Sequence, residues 1–298
     1  MDADIRKLSN AVIGEIFLAL GFSKTGTAYR TFGWIFRKPA DRLSTIGVSA
    51  DRLIATDGFA SASAWMLTHW CSHVTGRGAQ TIPTKGPLLV ISNHAGSYDT
   101  FVITSQLGRE DLKLISSDVP FLKNLPNANS HIIFLSDKTQ DRMTAARAGI
   151  RTLKEGGALL LYGTGLIDPD PEVYPDAEAW IDKWLPSIDL FLRAVPETKV
   201  VLSIVSGVVA KRWARHPITW FKRIDWPKRR LAEFSQVIQQ LLFPGNLTLQ
   251  PHISFSTPVS VDELQHESSP NRVLPAVITR GKVLLAEHIA WTPTIMKE

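Results

Sequence analysis

A chain of 298 residues that is 44% hydrophobic and 20% charged can bury a sizeable core, which excludes a disordered or fibrous polypeptide. Its single cysteine, Cys71, excludes an internal disulfide framework and any cysteine-based zinc site; it reads as a small core residue in a reducing compartment. A net charge of +5 and a pI near 9.3 suggest an anionic partner: lipid head groups, nucleic acid or a phosphorylated cofactor.

In chain order, residues 1–80 read as a helical N-terminal segment and residues 81–298 as an α/β domain. The run Ala11–Phe22 has helical bulk but carries Glu15 and is too short to cross a bilayer core of about 30 Å. No transmembrane helix is predicted. Asp2 and Asp4 stand where an export signal would carry positive charge, so no signal peptide is read. Tyr29 to Lys38 sets Phe32, Trp34, Ile35 and Phe36 among Arg30, Arg37 and Lys38, the pattern of an interfacial membrane helix or of a helical pair packed on the main domain. Asp41 to Ala79 is predicted helical, and Gly76-Arg77-Gly78 a turn.

The core is predicted to start after Gly86-Pro87. Strands are expected at Leu88–His94, Leu112–Ser116, His131–Leu135, Ala158–Tyr162 and Val200–Ser206. Helices are expected from Thr100 to Leu107 and, capped by Asp137 or Thr139, up to Glu155, with another over Ala177–Ala194 bent at Pro186. The segment rich in Pro and Asn around 120–129 reads as a loop, and Asp168-Pro169-Asp170-Pro171 as an acidic surface turn. Lys211 to Arg230 holds eight Lys or Arg against one Asp, interleaved with Trp213, Trp220 and Trp226. It suits an anionic membrane surface, single-stranded nucleic acid, or solvated charges over inward-packed rings. A helix from Leu231 to Leu242, a half-buried strand alternating through Leu247, Leu249, Ile253 and Phe255, and a last helix over Val273–Trp291 complete the chain. Strands alternating with helices predict a mostly parallel central sheet with helices on both faces, preceded by a helical N-terminal pair.

Chemistry concentrates in Leu88-Leu89-Val90-Ile91-Ser92-Asn93-His94-Ala95-Gly96-Ser97-Tyr98-Asp99, an apolar strand running into a Gly-containing turn and a helix. A neutral imidazole takes a proton from an attacking hydroxyl when its other nitrogen donates to a carboxylate. The spacing of His94 and Asp99 allows such a pair, with Gly96 giving the turn its freedom; equally, Asp99 could merely cap the helix at Thr100.

Asn93-His94-x-x-x-x-Asp99 resembles the first signature of the glycerolipid acyltransferase superfamily, whose best-known members are the 1-acylglycerol-3-phosphate acyltransferases. Lys154-Glu155-Gly156-Gly157-Ala158-Leu159-Leu160-Leu161-Tyr162-Gly163-Thr164-Gly165 is similar to that family's third stretch, without a gap. The similarity spans roughly Ile82 to Gly207. The departures are equally specific. Tyr162, Gly163 and Thr164 replace Phe, Pro and Glu, and Leu166 and Ile167 replace the Thr and Arg that usually follow. The second signature ends near Asp137 instead of Arg, leaving Lys138 as its only cation, and Val200–Ser206 lacks the fourth block's Pro.

The resemblance implies transfer of a fatty acyl group, in phospholipid biosynthesis, from acyl-CoA or acyl carrier protein to a lipid hydroxyl of a lysophospholipid or glycerolipid acceptor. His94 would be the general base and Asp99 its orienting partner; Asn93, Ser97, Lys138, Gly163, Thr164 and Gly165 would bind substrate. The Gly163-Thr164-Gly165 amides would face a developing oxyanion or line the acceptor site; a plain turn is the alternative. No metal and no cofactor beyond the thioester co-substrate is implied. Membrane lipids are the expected partner, with no nucleic acid, and the expected place is the cytoplasmic side of a membrane, held peripherally. The absence of a Gly-x-Ser-x-Gly elbow argues against a serine hydrolase. A catalytically inert lipid- or membrane-binding protein on the same scaffold is the alternative that the altered second and third stretches motivate.

Overall fold

The computed structural model describes residues 3–19, 22–23, 26–136, 138–217, 225–269 and 272–295. Asp137 and much of the basic-aromatic segment, 218–224, lie outside the described residues. Among the described residues seven strands form one sheet: β1 (Thr75–Arg77), β2 (Leu88–Ser92), β3 (Leu112–Ser117), β4 (Ile132–Leu135), β5 (Ala158–Tyr162), β6 (Lys199–Ser206) and β7 (His252–Phe255). Their order is β1-β7-β6-β2-β5-β3-β4, and among these described strands β6 and β7 pair antiparallel while the others pair parallel. The α/β architecture, a mostly parallel sheet with a helical N-terminal region, is as the alternation of patterns predicts.

β2 is the central strand, and all five of its residues are buried. Because alternate side chains leave a strand on opposite faces, Leu88 and Val90 join one core and Leu89 and Ile91 the other. The helices Arg37–Asp57, Phe59–Leu67, Asp99–Leu107 and Asp225–Leu242 contribute to the first core. The helices Thr139–Lys154, Ser187–Ala194, Val261–Glu267 and Leu274–Ile295 contribute to the second. A third cluster joins the Ala3–Ala19 helix, through Val12, Ile13, Ile16 and Phe17, to Ala40, with Phe234 and Ile238 packed on it.

Several local expectations are corrected. Gly76-Arg77 is not in a turn but in strand β1, which pairs with β7; this strand is three residues long, too short to show a period. β7 does not alternate, because all four of its residues are buried. The stretch around 120–129 folds into two short helices, Pro120–Lys123 and Pro126–Ser130, each with Pro in its first turn, where the missing N–H has no partner to lose. Asp51 holds the second by accepting the N–H groups of Asn127 (2.9 Å) and Ala128 (2.8 Å). The helix expected across Ala177–Ala194 is two helices, Ala177–Ile181 and Ser187–Ala194, separated at Pro186. Cys71 is buried, and burial pushes its thiol up to about 12.

Candidate active site

In a parallel sheet, loops that leave adjacent strand ends on the same side meet. β2 and β5 are in register so that Ser92 stands opposite Tyr162. His94, two residues past Ser92, therefore lies beside Tyr162 and the loop that follows it. The two rings stack with centroids 4.1 Å apart and planes 20° from parallel.

His94 Nδ1 lies 2.7 Å from Asp99 Oδ2. With Nδ1–H donating to that carboxylate, the neutral imidazole carries its lone pair on Nε2. No partner of Nε2 is found among the described residues, and the side chain is 26% exposed while that of Asp99 is fully buried. Asp99 is the first residue of the Asp99–Leu107 helix, with Tyr98 at the N-cap. Its Oδ2 also accepts the N–H of Gly96 (3.1 Å), and its Oδ1 accepts the hydroxyl of Tyr162 (2.7 Å). Three hydrogen bonds, two on Oδ2 and one on Oδ1, thus hold the carboxylate, one of them from the imidazole.

Two further carboxylates, unread from the sequence, close on the same turn. Asp168 Oδ2 accepts the N–H of His94 (2.9 Å), its own N–H donates to the His94 carbonyl (2.6 Å), and Oδ1 accepts the hydroxyl of Thr164. Asp168 and Asp170 are both buried, so the acidic surface turn is corrected. Asp170 accepts the N–H groups of Glu172, Gly207, Val208 and Val209 and pins the end of β6. Glu233, from the Asp225–Leu242 helix, accepts the N–H of Ser97. Neither Asp168 nor Glu233 has a short-range spacing to His94 that could have revealed it; only the buried carboxylates of a folded chain bring them there.

The electrostatics follow. Burial alone would lower the imidazole, but the Asp99 charge and hydrogen bond, with Glu233 and Asp168 behind, push His94 up to about 9. Burial pushes Asp168 up to about 6 against the hydrogen bonds from Thr164 and His94. Burial also raises Glu233, opposed by its bonds to Ser97 and by His94. The Tyr162 hydroxyl is held well above its ordinary range, by burial first and by Asp99 next, and stays a neutral donor.

The other predicted residues have separate surroundings. Asn93 is buried and pairs with β6 through both halves of its amide, donating to the Val205 carbonyl (2.9 Å) and accepting the Val205 N–H (2.8 Å). Gly163 and Gly165 use their N–H groups within the fold: Gly163 donates to the Ser92 carbonyl (2.9 Å) and Gly165 to the Tyr162 carbonyl (3.1 Å). Those two amides do not face an oxyanion. Gly163 is demanded by packing, since a Cβ there would lie 2.4 Å from the Trp184 ring. Thr164 reaches the site through Asp168. Lys138 is exposed at the start of the Thr139–Lys154 helix, past the end of β4, a strand three places from β2 or about 14 Å at ordinary strand spacing. The structure does not bring it to His94. Gly96 does not use a positive φ; its missing Cβ leaves room for Glu233, whose Oε1 would be 3.3 Å away.

Ser97 and Thr100, on either side of Asp99, line an apolar cavity of about 370 Å³. Its walls also include Val12 and Ile16 of the first helix, Leu43 and Ala50 of the Arg37–Asp57 helix, Ala62 and Met66, and Val237 and Leu241. Among the described residues no cluster of His, Cys, Asp or Glu is arranged to hold a metal ion. Nor is any helix among them long and apolar enough to cross a membrane.

No protein-family model matches this chain, and no curated protein does. Among solved structures the chain is similar to the 1-acyl-sn-glycerophosphate (LPA) acyltransferase PlsC from Thermotoga maritima, at 16% identity and a TM-score of 0.45, covering 94% of this chain and 98% of that one. At that identity and score the likeness bears on neither substrate nor residue roles.

Proposed function

We propose that this chain is an acyltransferase that moves a fatty acyl group from a thioester, acyl-CoA or acyl carrier protein, to a hydroxyl of a lysophospholipid or glycerolipid acceptor. The single observation that supports this best is the 2.7 Å His94–Asp99 pair set in a turn whose Ser97 and Thr100 open onto an apolar cavity. That is a base poised beside a place for an alkyl chain. His94 Nε2 takes the proton of the acceptor hydroxyl as its oxygen attacks the thioester carbonyl. The tetrahedral adduct collapses to an ester, the C–S bond breaks, and the departing thiolate takes the proton back from His94. Asp99 fixes the ring and stabilises the imidazolium between those steps. Burying the alkyl chain contributes about 0.8 kcal/mol per methylene, which holds the donor while the reaction runs.

Peripheral binding at the cytoplasmic side of a membrane completes the reading. Phe32, Trp34 and Ile35 are exposed beside Arg30, Arg37 and Lys38, and Pro39, which follows directly, lines the cavity. Apolar side chains bracketed by cations suit the head-group boundary. Mass spectrometry of products from isotopically labelled acyl-CoA, offered with a panel of lipid acceptors in mixed vesicles, tests the proposal. A labelled ester of one acceptor class supports it; free fatty acid alone, or no product, opposes it. The second reading, an inert lipid-binding protein, is favoured by the placement of Lys138 and by the engaged Gly163 and Gly165 amides. It predicts retention of the acyl chain without turnover.

A further inference from the structure

The Asp225–Leu242 helix carries two interleaved rows. Phe234, Val237, Ile238 and Leu241 line the apolar cavity, while Glu233, Gln236 and Gln240 are buried polar residues at helical spacing. The two glutamines meet neutral groups. Gln236 accepts the N–H of Ala210 (2.7 Å) and donates to the Val208 carbonyl (2.9 Å). Gln240 accepts the hydroxyl of Tyr98 (2.6 Å) and donates to the Trp70 carbonyl (3.1 Å). Glu233 is the exception, being ionisable, and the N–H it accepts is that of Ser97, inside the turn joining His94 to Asp99. A glutamine would accept that N–H equally well, so the hydrogen bond does not account for the charge. Burying a carboxylate is costly unless a positive group answers it. Around Glu233 that group is His94, with Asp99 and Asp168 as the other charges facing the same ring and neutral Tyr162 stacked on it.

Resting on the acyl-transfer reading above, we propose that Glu233 is a positioning residue for the reaction. Its carboxylate fixes the His94–Asp99 turn through Ser97 and stabilises the imidazolium that His94 becomes on taking the acceptor's proton. Gly96, with no side chain to crowd that carboxylate, is the local adaptation that admits it. The elevated His94 titration, with Glu233 among its causes, agrees.

The pH dependence of kcat/KM for the full-length chain with labelled acyl-CoA, in wild type and Glu233→Gln, tests this. The amide keeps an acceptor oxygen for Ser97 and removes the charge. The expected result is a rising limb displaced to lower pH and a plateau about threefold or more below wild type. An unchanged midpoint in folded Glu233→Gln overturns the proposal, since a merely structural role leaves the titration of His94 where it was. Should the Gln variant not fold, Glu233→Asp, one methylene shorter, draws the carboxylate away from Ser97. A displaced midpoint there supports the proposal, and an unmoved one overturns it. His94→Ala separates this from the parent reading: full activity in His94→Ala removes the acyl-transfer mechanism itself, whereas an inactive His94→Ala beside an unshifted Glu233→Gln removes only the role of Glu233.

Discussion

His94 sits among three carboxylates, and as the proposed base it must first lose a proton. With the imidazole held up to about 9, the reactive fraction grows tenfold per pH unit below that value, so kcat/KM is expected to climb from pH 7 and level off near pH 9. A profile already flat at pH 7 would contradict this. The same shift fixes a stability trend. A histidine whose folded pKa exceeds its unfolded value of about 6.5 contributes stability that is complete below pH 6.5 and is lost as pH rises through about 9. Urea unfolding at pH 6 and pH 9.5 should show that loss in wild type and a smaller one in His94→Ala. Gly163→Ala, whose new Cβ meets the Trp184 ring, is expected to destabilise the fold by about 1–3 kcal/mol through overpacking, measured by the same unfolding. The His94–Asp99 pair was legible in the sequence because both residues lie in one short turn. Asp168 and Glu233 were not, being 74 and 136 residues from their partners in that turn.

Strands gave themselves away where burial is complete on both faces. β2 and β5 are apolar runs and β6 is one interrupted by Ser203, and the sequence places them within a residue or two of their observed limits. The short edge strand β1 escaped because three residues show no period, whereas β7 reads as a strand but as a half-buried one, although its polar His252 and Ser254 are buried too. No local pattern announces the cavity either, since helices far apart in the chain wall it together. If it holds the donor's alkyl chain, Ala62→Trp, which adds a large ring to its wall, should cost long-chain acyl-CoA about tenfold or more in kcat/KM while short-chain donors are spared. Equal loss, or none, across a donor chain-length series would remove the cavity from the reaction.

At the scale of the molecule, a mostly parallel sheet gathers the β2 and β5 loops at one end, and helices from both halves of the sequence complete the site. The net positive charge and the exposed Phe32, Trp34 and Ile35 suit an anionic lipid surface. Trp34→Ala with Ile35→Ala is expected to weaken sedimentation with anionic vesicles about tenfold, roughly 1.4 kcal/mol, and unaltered partitioning would place the membrane contact elsewhere. The proposed chemistry depends on one proton transfer. The most direct measurement is the rate at which labelled acyl groups pass from acyl-CoA to a lipid hydroxyl in wild type and in folded, vesicle-bound His94→Ala. A fall on the order of a hundred-fold or more is expected. Transfer at the wild-type rate in the variant would contradict the account.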